Sequence, residues 1–142
     1  PDPLWSRGLG DVYKRQGWAR IINTLNSAAK APGAKTCPTS AARAAGMAMT
    51  KALATEFASD GILVNALNTG FLVSHQWRTR WQSESTGETF DEFVESIGQN
   101  IPIGRMGEAH EFANLALFLA SDGASYLTGA SINIDGGLTP VV

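Results

Sequence analysis

Short apolar runs alternate along this chain with longer amphipathic or alanine-rich segments, and turn residues mark most of the changes. Ala19 to Thr24 (ARIINT) is rich in β-branched residues and gives way to small and polar ones, which predicts a buried strand. Pro32-Gly33 marks a loop. Pro38 suits a first helical position, where its missing N–H costs nothing. Good helix formers continue to about Ser59, and Asp60-Gly61 supplies the stop. Ala41, Ala45, Ala48 and Ala52 recur at helical spacing and form a smooth face for close approach, either to this chain's own sheet or to a second subunit. Ile62 to Ala66 (ILVNA) is the next strand, and its near-continuous apolar run suits a parallel sheet covered on both faces. Phe71 to Gly87 reads as a polar loop carrying Trp77 and Trp81. Thr89 and Glu92 have capping-box spacing, so a helix should run to about Ile97. Pro102 and Gly104 break that helix. Glu108 to Ala120 is amphipathic, with Phe112, Ala116 and Leu119 on one face and acids near its start. Ala130 to Ile134 is a third strand, ending in Asp135-Gly136-Gly137.

Strands alternating with helices define an α/β chain with a parallel sheet. Three strands make a thin sheet, so the expectation is one half of a doubly wound domain. Ligands of such folds bind beyond the carboxyl ends of the strands. Those ends are Thr24 to Ser27, Asn68 to Ser74 and Asp135 to Gly137. Thr39 and Arg43, one turn apart at the start of the first helix, could face the same crevice.

With 142 residues the chain is one domain at most. A net charge of −2 gives no electrostatic reason to expect nucleic acid or an anionic membrane, and no apolar run approaches a bilayer span. The single cysteine, Cys37, fits a reducing, cytoplasmic compartment and is expected to be a buried, inert thiol. His75 and His110 have no companion ligands at metal-binding spacing, so no metal site is expected. Residues 1 to 16 stand apart. Asp11 to Gln16 (DVYKRQ) is what a transposon end used in sequencing libraries would encode, so this segment is expected to be an adapter artefact and Tyr13 no part of a site. Residues 17 to 142 are then a partial domain.

The phrases ARIINTLNSAA, GMAMTKALATEFASDGILVNALNTGFLVS and IPIGRMGEAHEFANLALFLASDGASYLTGASINIDGG closely resemble the C-terminal half of short-chain dehydrogenase/reductases. The resemblance covers nearly all of residues 17 to 140. It implies a Rossmann-like doubly wound sheet of which the C-terminal half, about three strands, is represented. It also implies an oxidoreductase that moves hydride between NAD or NADP and a small-molecule alcohol or carbonyl, in a homo-oligomer. The family's Gly-rich cofactor loop follows a strand before this region, and no G-x-G-x-x-G follows a strand here. The chain by itself is therefore expected to be inactive and to hold no cofactor.

The family's site uses a Ser, a Tyr and, one turn after the Tyr, a Lys. Ungapped flanks put Asn26 at the Ser position, Thr39 at the Tyr position and Arg43 at the Lys position, so all three are replaced. The resemblance also assigns cofactor contacts to Thr69 and Gly70, at the family's Pro-Gly turn, to backbone near Leu72 beside the nicotinamide carboxamide, and to Ser74. A phenol ionises near ~10 and a neighbouring cation lowers that; an aliphatic hydroxyl is a far weaker acid. Thr39 is thus a poor proton donor, whereas Arg43 keeps the positive charge and Asn26 can donate to a carbonyl oxygen. A non-catalytic dinucleotide-binding or scaffold homologue is the alternative reading. His75 is the substitute candidate for acid/base work, because imidazole changes charge near neutral pH. Ser27 should point away from Asn26 if the strand continues. Arg105 and His110 read as surface or loop-packing residues.

Overall fold

The computed structural model describes Lys14 and residues 16–141. The expected adapter segment, residues 1 to 16, lies outside the described residues apart from Lys14 and Gln16. The elements run β1 (Ala19–Asn26), α1 (Thr39–Phe57), β2 (Ile62–Thr69), α2 (His75–Glu84), α3 (Phe90–Gly98), α4 (Ala109–Ala120) and β3 (Ser131–Ile134). Short 3-10 turns follow β1, α1 and α4.

The sheet is parallel throughout, in the order β1-β2-β3. Ala19 stands opposite Ile62 and Asn26 opposite Thr69, while Ala66 to Thr69 stand opposite Ser131 to Ile134. Alternation along β2 sends side chains to two layers. Ile62 and Val64 pack with Ala54, Leu53 and Phe57 of α1. Leu67 packs on the other face with Leu119, Phe112, Leu115 and Ala116 of α4. The half of a doubly wound sheet expected from sequence is what the chain forms.

β1 and β2 run further than the apolar runs alone foretold, to Asn26 and Thr69. The added polar residues find partners within the sheet. Asn68 donates to Ser131 Oγ at 2.9 Å and Asn133 Oδ1 at 3.0 Å, and the Thr69 hydroxyl donates to the Leu25 carbonyl at 3.1 Å. Asn23 donates to Thr50 Oγ1 at 2.9 Å, tying β1 to α1. Gly61 ends the turn after α1 in the left-handed region, at φ 75°, as the Asp-Gly pair foretold.

Two expectations need correction. The supposed loop from Phe71 to Gly87 contains α2. Trp77 packs edge-on against Phe71 at 5.0 Å, Trp81 packs against Phe90 at 5.8 Å, and Trp81 Nε1 donates to the Glu88 carbonyl at 3.0 Å. Two tryptophans one turn apart thus give a polar segment the apolar anchor a helix needs. The alanine stripe of α1 does not face its own sheet: Ala41, Ala45, Ala48 and Ala52 are exposed, and Ser40, Thr50 and Ala54 are the buried positions. The capping box at Thr89 and Glu92 is present, and α4 opens with a second one between Glu108 and Glu111.

Asn65 is only 2% exposed in mid-strand. Its Oδ1 accepts from the Ala130 amide at 3.0 Å and its Nδ2 donates to the Leu127 carbonyl at 2.8 Å, which fixes the entry to β3. Asn65→Ala strands both backbone groups, so urea unfolding should show a loss of about 2–4 kcal/mol. A loss within experimental error would mean that this clamp does not hold β3.

Candidate active site at the strand ends

β1 and β2 end side by side, and the chain leaves each differently. After Asn26 the strand stops and Ser27 enters a 3-10 turn, so both residues line the same cleft. The opposed orientation expected for Ser27 required a continuing strand, and the turn removes that condition. After Thr69 the chain passes through Gly70, whose amide donates to the Ile134 carbonyl at 2.9 Å. An added Cβ at Gly70 would lie 2.6 Å from Asp135 Cα, so only glycine lets these segments approach.

The cleft occupies about 290 Å³. Asn26, Ser27, Thr69 and Gly70 line it from the strand ends, Arg43 from α1, and Gln76 and Trp77 from α2. Of the positions singled out in the sequence, Asn26, Arg43, Thr69 and Gly70 are brought together. Leu72 lies in an adjoining smaller cavity with Ile101, Ile103 and Ile134. Thr39, Ser74 and His75 are exposed and do not line the cleft. Cys37 is exposed, not buried as expected, because it lies in the turn before α1 rather than on a packed face.

Two of the residues that line the cleft each carry an unpaired atom. Asn26 Oδ1 and Arg43 Nε are both buried without a hydrogen-bond partner among the described residues. Arg43 also has no carboxylate within ion-pair distance among them. Buried polar atoms are costly to leave unpaired. The polar residues that line the cleft, Asn26, Ser27, Arg43 and Thr69, are of types that could hold a dinucleotide's ribose and carboxamide groups.

The segment Phe71–Val73 is held outside the cleft by backbone hydrogen bonds to Gly107. Gly107 donates to the Phe71 carbonyl and accepts from the Val73 amide, each at 2.9 Å. In this parallel bridge the N–H and C=O of Leu72 itself point away from Gly107. Next to Gly107, the Arg105 guanidinium donates to the Met106 carbonyl at 3.1 Å and to both oxygens of Glu111 at 2.9 and 2.7 Å. The Arg105 hydrogen bonds, followed by the Glu108 amide, hold the Glu111 carboxyl down to about 2. Sequence reasoning missed this pair and Gln76, and left Trp77 open between lining a substrate lid and capping the core. The Glu at the third position of α4 and the two tryptophans were the available signals.

A family model described as enoyl-(acyl carrier protein) reductase matches residues 5–139. The NADPH-dependent reductase BacG of Bacillus subtilis is 36% identical over 128 residues, covering 89% of this chain and 49% of its own length. L-Sorbose reductase from Gluconobacter frateurii, solved with NADPH and L-sorbose, superposes with a TM-score of 0.88 at 29% identity, over 96% of this chain and 53% of that one. A short-chain oxidoreductase from Pseudomonas aeruginosa with an atypical catalytic centre, solved with NADPH, gives 0.81 at 33% identity, over 94% and 51%. The chain belongs to the short-chain dehydrogenase/reductase family. It spans about half the length of the relatives it matches.

A carboxyl held low by its partner stabilises the fold above the ordinary carboxylate range, and that contribution is lost as pH falls through about 2. Carbon-detected NMR should therefore find the Glu111 midpoint near 2 and see it climb toward the ordinary value of ~4.3 in Arg105→Ala. An unchanged midpoint would show that Arg105 is not the cause.

Proposed function

We propose that the protein of which this chain forms part is an NAD(P)-dependent oxidoreductase acting on a small-molecule carbonyl or alcohol, as a homo-oligomer, with a site built for binding more than for proton transfer. The observation that carries this reading is that Asn26 and Arg43, at the positions of the family's Ser and Lys, line one cleft at the strand ends. The NADPH named for BacG and for the two solved relatives supports a nicotinamide cofactor.

A bound reduced nicotinamide would supply hydride to the substrate carbon. The rest is assigned to this chain's own residues. Asn26, at the family's Ser position, donates its amide hydrogen to the substrate oxygen and orients it. Arg43, at the Lys position, holds a ribose hydroxyl and keeps positive charge beside the developing alkoxide. Gly70 allows the chain to turn close to the ligand, while Thr69, Leu72 and Ser74 extend the cofactor contacts. Thr39, at the Tyr position, carries a hydroxyl too weakly acidic to donate the proton well. His75, at the start of α2, is the sequence candidate for that step, but it is exposed and outside the cleft, which argues against it.

The alternative, a dinucleotide-binding scaffold without turnover, draws on the same substitutions. A hybrid chain separates the two: residues 17–142 joined behind the N-terminal half of BacG. It should bind NADPH, and Arg43→Ala should weaken that binding about tenfold, or ~1.4 kcal/mol. The double change Thr39→Tyr with Arg43→Lys should raise carbonyl reduction by about 10²–10⁴-fold, the usual worth of a positioned general acid. Unchanged turnover with NADPH still bound would overturn the assignment of positions 39 and 43. Turnover already fast in the hybrid, and abolished by His75→Ala, would favour the enzyme reading over the scaffold.

A further inference from the structure

We propose that Asp135 is a positioning residue for the strand-end cleft: its carboxylate closes the turn that holds Gly70, on one wall, and the Ile103 segment, behind the other, in a fixed relation. The hold itself rests on the contacts of this turn. Its consequence for cofactor affinity rests on the redox reading above.

Asp135 follows the last residue of β3, where the chain leaves the sheet. Its Oδ1 accepts from the Gly137 amide at 3.0 Å and its Oδ2 from the Thr139 amide at 2.9 Å, while its own carbonyl accepts from the Leu138 amide at 3.1 Å. Three successive amides therefore converge on one residue. Gly136 and Gly137 permit this by taking the left-handed region, at φ 63° and 85°. A short side chain with two acceptor oxygens serves both amides at once; asparagine offers one such oxygen, and alanine none. Among the described residues the carboxylate forms no ion pair, so its acceptors are committed to the turn.

The closed turn touches both sides of the site. On the cleft side, the Gly70 amide donates to the Ile134 carbonyl at 2.9 Å, and a Cβ added at Gly70 would lie 2.6 Å from both Cα and Cβ of Asp135. Contact this close leaves Gly70 no room to shift toward the end of β3 unless Asp135 shifts first. On the other side, the Gly136 carbonyl accepts from the Ile103 amide at 3.1 Å, and a Cβ added at Gly136 would lie 2.6 Å from Ile103 Cγ2. Ile103 lies a few residues beyond α3, whose Phe93 ring sits 6.3 Å from that of Trp77. Trp77 in turn lines the cleft from α2. One carboxylate thus ties the strand-end wall to the helical wall. Asp135 does so from the adjoining small cavity, without lining the cleft itself.

The test uses the full 142-residue chain, isotopically labelled, and follows amide hydrogen exchange by NMR. Asp135→Ala should speed exchange at Gly70 and Ile103 at least about tenfold. Ala66, which donates to the Ala130 carbonyl at the entry to β3, should keep its wild-type rate. Asp135→Asn, with one acceptor left, should fall between, and it carries the same comparison if Asp135→Ala does not fold. In the hybrid with the N-terminal half of BacG, Asp135→Ala should raise the NADPH Kd about tenfold. Thr128→Val removes the acceptor of the Val64 amide toward the opposite end of β2; it should lower stability and leave that Kd unchanged.

Three results would each overturn the proposal. One is unchanged exchange at Gly70 and Ile103 in the Asp135 variants. Another is equal acceleration at Gly70, Ile103 and Ala66, which would make Asp135 a general stabiliser. The third is an NADPH Kd that Asp135→Ala leaves unchanged, or that Thr128→Val raises as much. The redox reading fails separately. A wild-type hybrid that binds no NADPH overturns that reading, and the exchange pattern in the 142-residue chain still decides whether Asp135 positions Gly70.

Discussion

Hydrogen bonding along both edges of β2 is the constraint on which the rest of the structure depends. Between Ile62 and Asn68 every residue but Leu63 is buried. A strand so placed has no water with which to pair its peptide groups, so β1 and β3 must supply the partners. Two asparagines sit within this strand, and both are nearly or wholly inaccessible. Each is tied to β3 or its approach: Asn65 by both amide groups to backbone of Leu127 and Ala130, Asn68 by its Nδ2 to Ser131 and Asn133, while Asn68 Oδ1 is buried without a partner among the described residues. The polar residues of β2 thus fix the lateral position of β3, while the apolar ones join the two layers of helices.

Register then determines where the site can lie. Because β1 and β2 are parallel and in step, Asn26 and Thr69 finish together, and the chain must turn away at the same level from both. The turns leave a space that α1 and α2 border with Arg43, Gln76 and Trp77. Nothing in this requires a flexible lid or a rare backbone conformation at Asn26. The cleft is a by-product of two strands that end level and a glycine that lets Asp135 come close. The bridge from Gly107 fixes Leu72 just outside the same space, and Arg105 ties the neighbouring Met106 carbonyl to Glu111.

What was legible in the sequence follows the strength of local signals. The β-branched runs, the Asp-Gly stop and the Thr89–Glu92 capping box are decided within a few residues, and each appears where it was expected. The full lengths of β1 and β2 were not legible, because Asn68 and Thr69 look like loop residues until the groups that satisfy them, far along the chain, are known. α2 was hidden for a related reason: its composition is polar, and its stability comes from Trp77 and Trp81 meeting Phe71 and Phe90 on neighbouring segments. The alanine stripe of α1 carried a pattern without a direction, since small residues suit a sheet and a second subunit equally. For the site, resemblance to a family assigned positions to roles. Only the geometry separated Asn26, Arg43, Thr69 and Gly70, which share a cleft, from Thr39, Ser74 and His75, which are exposed.

That separation bears on the chemistry. Lysine and arginine both carry a positive charge, but lysine does so at a compact head that can rotate toward a phenol, whereas arginine spreads it over a planar fork that demands complementary acceptors. On the proposed alignment, threonine at position 39 in place of a tyrosine and arginine at position 43 in place of a lysine would move the site in one direction twice: the acid whose ionisation the cation tunes would be gone, and the cation would need more acceptors around it. Arg43 Nε is buried and unpaired among the described residues, so part of that guanidinium is left without a partner in the fold. A site so altered would gain more from holding a ligand than from shuttling a proton.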